Sequence, residues 1–271
     1  MIRILILIAL GAAFIAGCTR TGEQAEQGQA DAHQDAHVHH QGAEQAQLIV
    51  SMSPKEPQAG EETTLNLMVH TASGEMVRSF EETHEKLAHL IVVREGLDEF
   101  AHLHPDVTSD GQITATYAFP QGGTYRIFLD YKPTGGSQTT AQALVSIKGD
   151  SQPTPELTPN VPGTIPAEGL LANVSIDSRG SGTDRTVQFS LLDSENQPLK
   201  DLEPYLGAMG HLVVLSADGE QYVHAHPLDN GEVSNEVGFD VHFPATGLYK
   251  AWGQFQRSGS VVTIPVVVLV D

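Results

Sequence analysis

The chain has 271 residues, with 34 acidic and 14 basic side chains and a formal net charge of −20 at pH 7. This charge argues against nucleic acid as a partner, because phosphate binding needs clustered Lys and Arg side chains. An acidic surface concentrates cations, although it equally favours solubility outside the cell. Cys18 is the only cysteine, so an intrachain disulfide is excluded.

The first 17 residues have the composition of an export signal. Arg3 precedes an apolar run at residues 4–16 that is too short to span a membrane. Residues 15–18, Ile-Ala-Gly-Cys, resemble the lipobox of bacterial lipoproteins. The resemblance implies that residues 1–17 are a lipoprotein signal peptide and that Cys18 is the lipidation site. The chain would then be lipid-anchored to a cell-envelope membrane, facing the periplasm or exterior. An ordinary signal peptide with a chance cysteine is the alternative.

Residues 18–46 are rich in Gln, Ala, Glu and Gly and have almost no large apolar side chains. This composition buries too little apolar surface to fold, so it predicts a disordered tether. The tether has a histidine cluster: His33, His37, His39 and His40. Short His-rich tracts can bind metal, so weak metal capture is one interpretation. A polar tether with a chance cluster is the other.

Residues 47–149 contain apolar, partly β-branched runs separated by turn residues. Examples are QLIVSMS, TTLNLMVH, QITATYAF and TTAQALVSI. About seven short strands at this spacing predict a β-sandwich domain. No segment has a convincing helical period of apolar residues.

Residues 150–168 contain five prolines and predict a semi-rigid extended linker. Residues 169–271 then repeat the pattern of the first domain, with runs such as LLANVSID, RTVQFSLLD and VVTIPVVVLV. Each domain has about a hundred residues, which is enough for its own core. The predicted fold class is therefore all-β, with two tandem β-sandwich domains.

One stretch recurs in both domains. Residues 87–105, LAHLIVVREGLDEFAHLHP, align with residues 209–227, MGHLVVLSADGEQYVHAHP. Six of the 19 aligned positions are identical, and three of those six are histidines. A recurrence of this length indicates two copies of one domain. The first histidine trio is His89, His102 and His104, and the second histidine trio is His211, His224 and His226.

The turns predict that each stretch is a β-hairpin with its histidines at one end. Asp218-Gly219 is the preferred dipeptide of a two-residue turn, and the first domain has a four-residue loop at 95–98. Counting back from either turn gives the same register, in which opposed residues share one face of the sheet. The predicted opposed pairs are His89 with His104 and His211 with His226.

The first histidine trio should share one face of its hairpin with Ile91, Val93 and Phe100. We expect this apolar face to point into the core of its own domain. Neutral imidazole is the commonest metal ligand in proteins and suits both copper and zinc. Each trio is therefore a candidate site for copper or zinc. The alternative is a cluster of structural histidines, each of which needs hydrogen-bond partners when buried.

Other residues near the trios are weaker candidates for a role in metal binding. A blue-copper site is excluded, since neither domain contains a cysteine. Asp130 and Gln254 align near the trios and are candidates for orienting an imidazole, or else ordinary polar strand residues. Met209 lies near the second trio and could ligate copper(I), but its counterpart in the first domain is a leucine, so packing is the expected role. His84 and His242 have no histidine counterpart, so we expect both to lie outside the repeated site.

The segments HLIVV, FAHLHPD, YVHAHP and GLYKAWGQF resemble bacterial secreted Ig-like or cupredoxin-like (YtkA-like) β-sandwich proteins. The resemblance covers nearly the whole mature chain. It implies an envelope protein that sequesters metal ions or hands them over, with heavy-metal efflux or other envelope proteins as partners. The usual cysteine-rich metal motif is absent here, and a His-containing tether stands in its place. A non-catalytic Ig-like interaction or scaffolding lipoprotein with structural histidines is the alternative function. A metallohydrolase with a three-histidine site is a third interpretation, but an enzyme is not expected, because no clear general base recurs in both domains.

Overall fold

A computed structural model describes residues 46–178, 183–228 and 234–271. The expected signal peptide, Cys18 and the histidines of the tether lie outside the described residues. In the described ranges every regular element is a β-strand, and a search of those ranges finds no helix able to cross a membrane. The predicted all-β class with two tandem β-sandwich domains is confirmed.

The first domain, fully described from residue 46 to 149, is built from antiparallel strands. They are β1 (Gln47–Ser53), β2 (Glu62–His70), β3 (Phe80–Glu81), β4 (Ala88–Arg94), β5 (Phe100–Leu103), β6 (Asp106–Val107), β7 (Ile113–Ala118), β8 (Gly123–Pro133) and β9 (Thr139–Ile147). One sheet has the order β1-β2-β7-β6. The other has the order β3-β8-β4-β5, with β9 paired to β8.

The second domain repeats this architecture. Its described strands are β10 (Gly163–Ala167), β11 (Leu170–Ser178), β12 (Asp184–Asp193), β13 (Leu202–Glu203), β14 (His211–Ser216), β15 (Tyr222–Pro227), β16 (Glu236–His242), β17 (Gly247–Arg257) and β18 (Ser260–Val270). They follow the path β10-β11-β12-β16-β15-β14-β17-β13, with β18 paired to β17. Strand β15 connects the two halves of this path, because it pairs with both β14 and β16.

Alternation along the strands builds each sandwich core. In β2, Leu65, Leu67 and Val69 are buried, while the residues between them are more exposed. A strand with one face on the core has this period of two. The three side chains belong to the same core as Leu90 and Val92 of β4. A second core of the same kind fills the second domain.

Strand β4 corrects one prediction, because it is buried on both faces. All of its residues are buried. Leu90 and Val92 belong to the core of the first domain, whereas Ile91 and Val93 belong to a separate cluster shared with the second domain. The expectation that the histidine-bearing face points into its own core is therefore wrong. That face is turned towards the neighbouring domain.

The cluster between the domains is apolar and pseudo-symmetric. Its buried members are Ile91, Val93, Leu97, Phe128, Val213, Leu215 and Trp252. Phe100 stacks on Trp252 with ring centroids 4.5 Å apart, and Phe128 lies 5.6 Å from Tyr222. In the repeat, Phe100 is equivalent to Tyr222, and Phe128 is equivalent to Trp252. Each domain thus contributes the same two positions, as in a contact between identical subunits.

Apolar burial, more than charge, holds the domains together. Fully burying one Val, Leu, Ile or Phe side chain contributes roughly 1.5–3 kcal/mol, and the interdomain cluster contains seven buried residues. An ion pair also crosses the interface, between Arg126 and Glu220 at 4.0 Å. Its glutamate is exposed, so this pair contributes at most about 1 kcal/mol.

The linker expected at residues 150–168 ends where β10 begins, at Gly163. That strand pairs with β11. Part of the remaining linker packs against the two domains. Leu157 packs against the interdomain cluster, and the Arg94 guanidinium donates to the carbonyl of Gln152 at 3.0 Å. The backbone amide of Asn160 donates to the carbonyl of Val267 at 3.0 Å. The segment before β10 therefore contacts both domains.

We predict that the isolated first domain, residues 46–149, folds but self-associates, because separation exposes Ile91, Val93 and Phe128. Sedimentation velocity should show a concentration-dependent dimer for this fragment and less association for residues 46–271. Replacing Val93 with Asp in the fragment should restore the monomer, since a charge cannot be buried without a partner. A wild-type fragment that stays monomeric at high concentration would contradict this account of the interface.

Candidate metal centre

The first hairpin has the register that its turn predicts. Strands β4 and β5 pair so that His102 lies opposite Ile91. Two residues further, the same register sets His89 opposite His104. This is the predicted pairing, and it brings the first histidine trio together at the end of the hairpin remote from its loop.

The second hairpin has the same register in its backbone. Val213 pairs with His224, and the same register sets His211 opposite His226, as predicted. His226 also pairs with Asp240 of β16. The side chains of His224 and His226 lie outside the described part of the chain. The second trio as a metal site therefore stays a prediction.

Three imidazoles of the first trio lie in mutual contact. The ring centroids are 5.2 Å apart for His89 and His102, and 5.2 Å apart for His89 and His104. Those of His102 and His104 are 4.8 Å apart. One nitrogen on each ring lies within 4.8 Å of the other two. His89 is 5% exposed, and the other two side chains are partly buried.

Two hydrogen bonds assign the tautomers of His89 and His102 when the Gln254 amide has its oxygen towards His102. His89 Nε2 lies 3.0 Å from the carbonyl oxygen of Thr83, and His102 Nδ1 lies 2.6 Å from Gln254 Oε1. Because these oxygens only accept hydrogen bonds, both ring nitrogens donate. In the neutral rings, the remaining nitrogens, His89 Nδ1 and His102 Nε2, then carry lone pairs.

These two lone-pair nitrogens lie 3.1 Å apart. Two lone pairs at this distance repel unless a proton or a cation lies between them. A metal ion fits, since nitrogens bound at about 2.0–2.1 Å in a tetrahedral site are about 3.3 Å apart. The third ring supports the same arrangement, because His104 Nε2 is buried and has no hydrogen-bond partner among the described atoms. The donor set therefore suits a metal held by three histidines.

A tight turn orients the first histidine of each trio. Residues 83–86 form a two-residue turn whose central residues both have positive φ, and residues 205–208 form the same turn in the second domain. The first carbonyl of each turn accepts a hydrogen bond from Nε2 of a histidine. The donor is His89 in the first domain and His211, at 2.7 Å, in the second. The contact recurs, so it is a structural feature of the repeat.

Further rings extend the cluster across the domain interface. The ring of His84 lies 6.0 Å from that of His89 and 5.3 Å from that of His211. Tyr205 lies 5.4 Å from His211 and 6.2 Å from His104. The exposed His84 was expected outside the site, because its counterpart in the repeat is a leucine. Comparing the two copies could not reveal it, since only their packing brings it to the trio.

Gln254 orients an imidazole, as one interpretation predicted, but this imidazole belongs to the other domain. Gln254 is 5% exposed on β17, and its partner His102 lies on β5. The equivalent residue of the first domain, Asp130, is 3% exposed and accepts a hydrogen bond from Gln138 at 2.9 Å. Burial raises the pKa of Asp130 to about 7, although this hydrogen bond opposes the rise.

Met209 and His242 lie away from the first histidine trio. Met209 packs against the core of the second domain. His242 is exposed and hydrogen-bonds to Asp184 on the neighbouring strand. Neither residue is part of the described histidine cluster.

Burial keeps the imidazoles of the cluster neutral. It lowers the pKa of His102 to about 3 and the pKa values of His104 and His211 to about 4. It also lowers the pKa of His89, despite the hydrogen bond to Thr83. Neighbouring histidines lower these values further, because positive charges so close together repel. Neutral imidazole is the form that ligates a metal, so these rings are competent ligands near neutral pH.

The fold and this cluster define a tandem β-sandwich protein with a histidine centre between its two domains. The sequence matches the family described as a domain of unknown function (DUF8832) twice, at residues 40–149 and 167–271. The chain therefore belongs to this family, with two copies of its domain. No curated protein sequence matches the chain significantly.

Similar solved structures are distant. One is the Escherichia coli adhesin FdeC, with 15% identity and a TM-score of 0.28, covering 84% of this chain and 65% of the adhesin chain. A second is domains 4 and 5 of the S-layer protein SbsC, with 14% identity, a TM-score of 0.21, and coverage of 83% and 98%. A third is a DUF3823 family protein from Bacteroides uniformis, with 15% identity, a TM-score of 0.21, and coverage of 74% and 96%.

We predict that the metal-free protein loses stability as the pH falls from about 6.5 towards 4. The unfolded chain takes up protons at about pH 6.5, whereas the folded histidines, with lowered pKa values, do not. The stability that these histidines contribute is therefore present above pH 6.5 and is lost on acidification. Urea unfolding in the presence of a chelator, between pH 7.5 and 4, measures this loss.

The variant His102→Leu should make the decline less steep, because one titrating group is removed. The variant His242→Leu is the control, since that side chain is exposed. Asp130 titrates in both proteins and cancels from the comparison. An unchanged slope in His102→Leu would mean that this imidazole takes up its proton in the folded state.

Proposed function

We propose that this chain is a lipid-anchored metal-binding protein of the bacterial cell envelope, as in the YtkA-like sandwich proteins that its motifs resemble. It holds a copper or zinc ion at His89, His102 and His104, and it sequesters the ion or hands it to an envelope partner such as a heavy-metal efflux protein. The observation that carries the proposal is the 3.1 Å separation of His89 Nδ1 and His102 Nε2, which both carry lone pairs when Gln254 Oε1 accepts from His102. The unpartnered Nε2 of His104 beside them supports it.

The donor set narrows the choice of metal. Imidazole nitrogens suit zinc and copper, whereas sulfur ligands select copper(I). The first trio offers three imidazole nitrogens, and Met209 packs against the core of the second domain. Three nitrogens leave one position of a tetrahedral ion for water or for a ligand from a partner. Such an open position suits transfer of the ion as well as storage.

A second ion is proposed for the second domain, at His211, His224 and His226. The support is the repeated backbone register, together with the repeated hydrogen bond from His211 to its turn. The tether histidines would add weak capture sites near the membrane.

A structural role for the histidines is the second candidate, and it implies an Ig-like scaffolding lipoprotein. One observation favours it: His89 and His211 each donate to a turn carbonyl, which stabilises the same turn in both domains. A metal-free relay is also compatible with the distances. If the Gln254 amide turns over, its NH2 donates to His102 Nδ1, and His102 Nε2 then donates to His89 Nδ1. The two candidates differ in whether metal binds stoichiometrically.

We predict that a fragment of residues 46–271, which lacks the tether histidines, binds up to two copper or zinc ions. Elemental analysis and calorimetric titration measure the number. A metal at 100 times its Kd stabilises the fold by about 2.7 kcal/mol, which raises Tm by roughly 5–10 °C for a chain of this size. Because the pKa values of His102 and His104 are about 3 and 4, protons should displace the metal only well below pH 6.

The paired variant His102→Ala and His104→Ala should lose one ion and part of the rise in Tm. His242→Ala, at an exposed histidine outside the cluster, should bind as the wild type does. The structural role predicts a different result: no stoichiometric metal in the wild type, and a paired variant destabilised to the same extent with and without metal. That result would remove the metal-binding proposal.

The envelope location rests on the lipobox. We predict that Cys18→Ser releases the protein from the membrane fraction or blocks its maturation, because the acylated thiol is lost. Fractionation with metabolic labelling by a palmitate analogue tests this. Thr21→Ala, three residues after the cysteine, is the neighbouring control and should behave as the wild type does. Unchanged membrane association and label in Cys18→Ser would contradict the lipid anchor.

A further inference from the structure

Gln254 connects the two domains at the histidine cluster. It belongs to the second domain, yet its Oε1 lies 2.6 Å from His102 Nδ1 of the first. Its Nε2 donates to Thr263 Oγ1 on β18 at 3.3 Å. The side chain is 5% exposed, so solvent does not readily replace either partner. The amide is held on one side by its own domain and on the other by a histidine of the neighbouring domain.

This contact determines whether His102 can act as a ligand. When His102 Nδ1 donates to Gln254, the lone pair remains on Nε2, which faces His89 Nδ1. A hydrogen-bond acceptor behind a ligating histidine fixes its tautomer and raises its basicity. The second domain thus supplies the group that prepares His102 for a metal in the first domain.

We propose that Gln254 is a positioning residue for the metal site of the first domain, so that metal occupancy and docking of the two domains are linked. The proposal rests on the metal-binding function proposed above. The linkage is reciprocal: if docking raises the metal affinity by a certain factor, metal strengthens docking by the same factor. Separating the domains removes Gln254 from His102 and weakens the site, which provides a route for release of the ion.

A glutamine fixes the tautomer of His102 less strongly than an ionised carboxylate would. In one orientation its oxygen accepts from His102, which favours metal binding. In the other orientation its NH2 donates to His102, which favours the metal-free relay of hydrogen bonds to His89. An ionised carboxylate has only the accepting orientation. The first domain carries a buried carboxyl group at the equivalent position, Asp130, so the repeat accommodates an acid there.

The chain contains its own reporter of domain docking. Trp252 is the only tryptophan. It is 3% exposed and stacks on Phe100 of the other domain, with the two rings within 10° of parallel. Separation of the domains exposes this indole to water, so a red shift of its emission reports undocking.

The test compares three variants of the full chain, with zinc as the probe because it has no redox chemistry. Gln254→Leu removes the acceptor, and Gln254→Glu keeps it. Gln256→Leu is the matched control, since Gln256 lies two residues further along β17 and bonds to Glu203. Competition with a chelator should give a 10–100-fold lower zinc affinity for Gln254→Leu, as is typical when a group behind a ligand is lost. The affinity of Gln254→Glu should equal or exceed that of the wild type, and Gln256→Leu should be unchanged.

The linkage has a separate readout in the Trp252 emission. Urea should shift the Trp252 emission to the red as the domains separate. Saturating zinc should raise the urea concentration at the midpoint of this transition in the wild type and in Gln256→Leu. This increase should be smaller in Gln254→Leu, because docking no longer improves the site. If Gln254→Leu does not fold, Gln254→Asn tests the same hydrogen bond, since its amide is one methylene too short to reach His102.

The outcomes separate this inference from the function on which it rests. A wild-type affinity in Gln254→Leu would overturn the positioning role and leave metal binding by the wild type in place. An equal loss in Gln254→Glu and Gln254→Leu would overturn it too, because retaining the acceptor would then have no effect. Absence of zinc binding in the wild type would overturn the proposed function and this linkage together.

Discussion

The burial of β4 on both faces is the constraint on which the rest of the structure depends. Leu90 and Val92 pack in the core of the first domain, while Ile91 and Val93 pack against the second. His89 precedes these residues on the same strand and is buried with them. The docking of two apolar sheet faces therefore carries the first histidine trio into an interface, where water is largely excluded. The low pKa values of these histidines follow from that burial.

The register of both hairpins could be predicted, because turn residues limit which positions oppose each other. The direction of the histidine-bearing face could not. Alternation distinguishes core from solvent only when one face is polar, and β4 is apolar on both, as in a strand covered on both sides. Strand β10 was missed for a related reason. Pro166 argues against a central strand, but β10 lies at the start of the sheet path, where a missing amide is tolerated.

A purely apolar interface would avoid the free-energy cost of burying polar atoms without partners. Each buried polar atom without a partner costs about 1–3 kcal/mol, and His104 Nε2 is such an atom among those described. Leucine at this position would avoid that cost and add to the apolar cluster. The hydrogen bond from His89 to the turn explains one imidazole as structural. Gln254 and His89 provide partners for His102, so His104 is the imidazole for which the proposed cation would supply the missing partner.

Because the two copies are joined in one chain, equivalent positions of their pseudo-symmetric interface can hold different residues. In a symmetric dimer, one residue type would occupy both positions 130 and 254. Fusion in a single chain allows a carboxyl at Asp130 and an amide at Gln254, both of them buried. These groups differ because the carboxyl changes its charge with pH, whereas the amide is neutral and always offers both a donor and an acceptor. Duplication with divergence at this position thus gives the two halves different buried polar groups, while the apolar contacts that dock them stay equivalent.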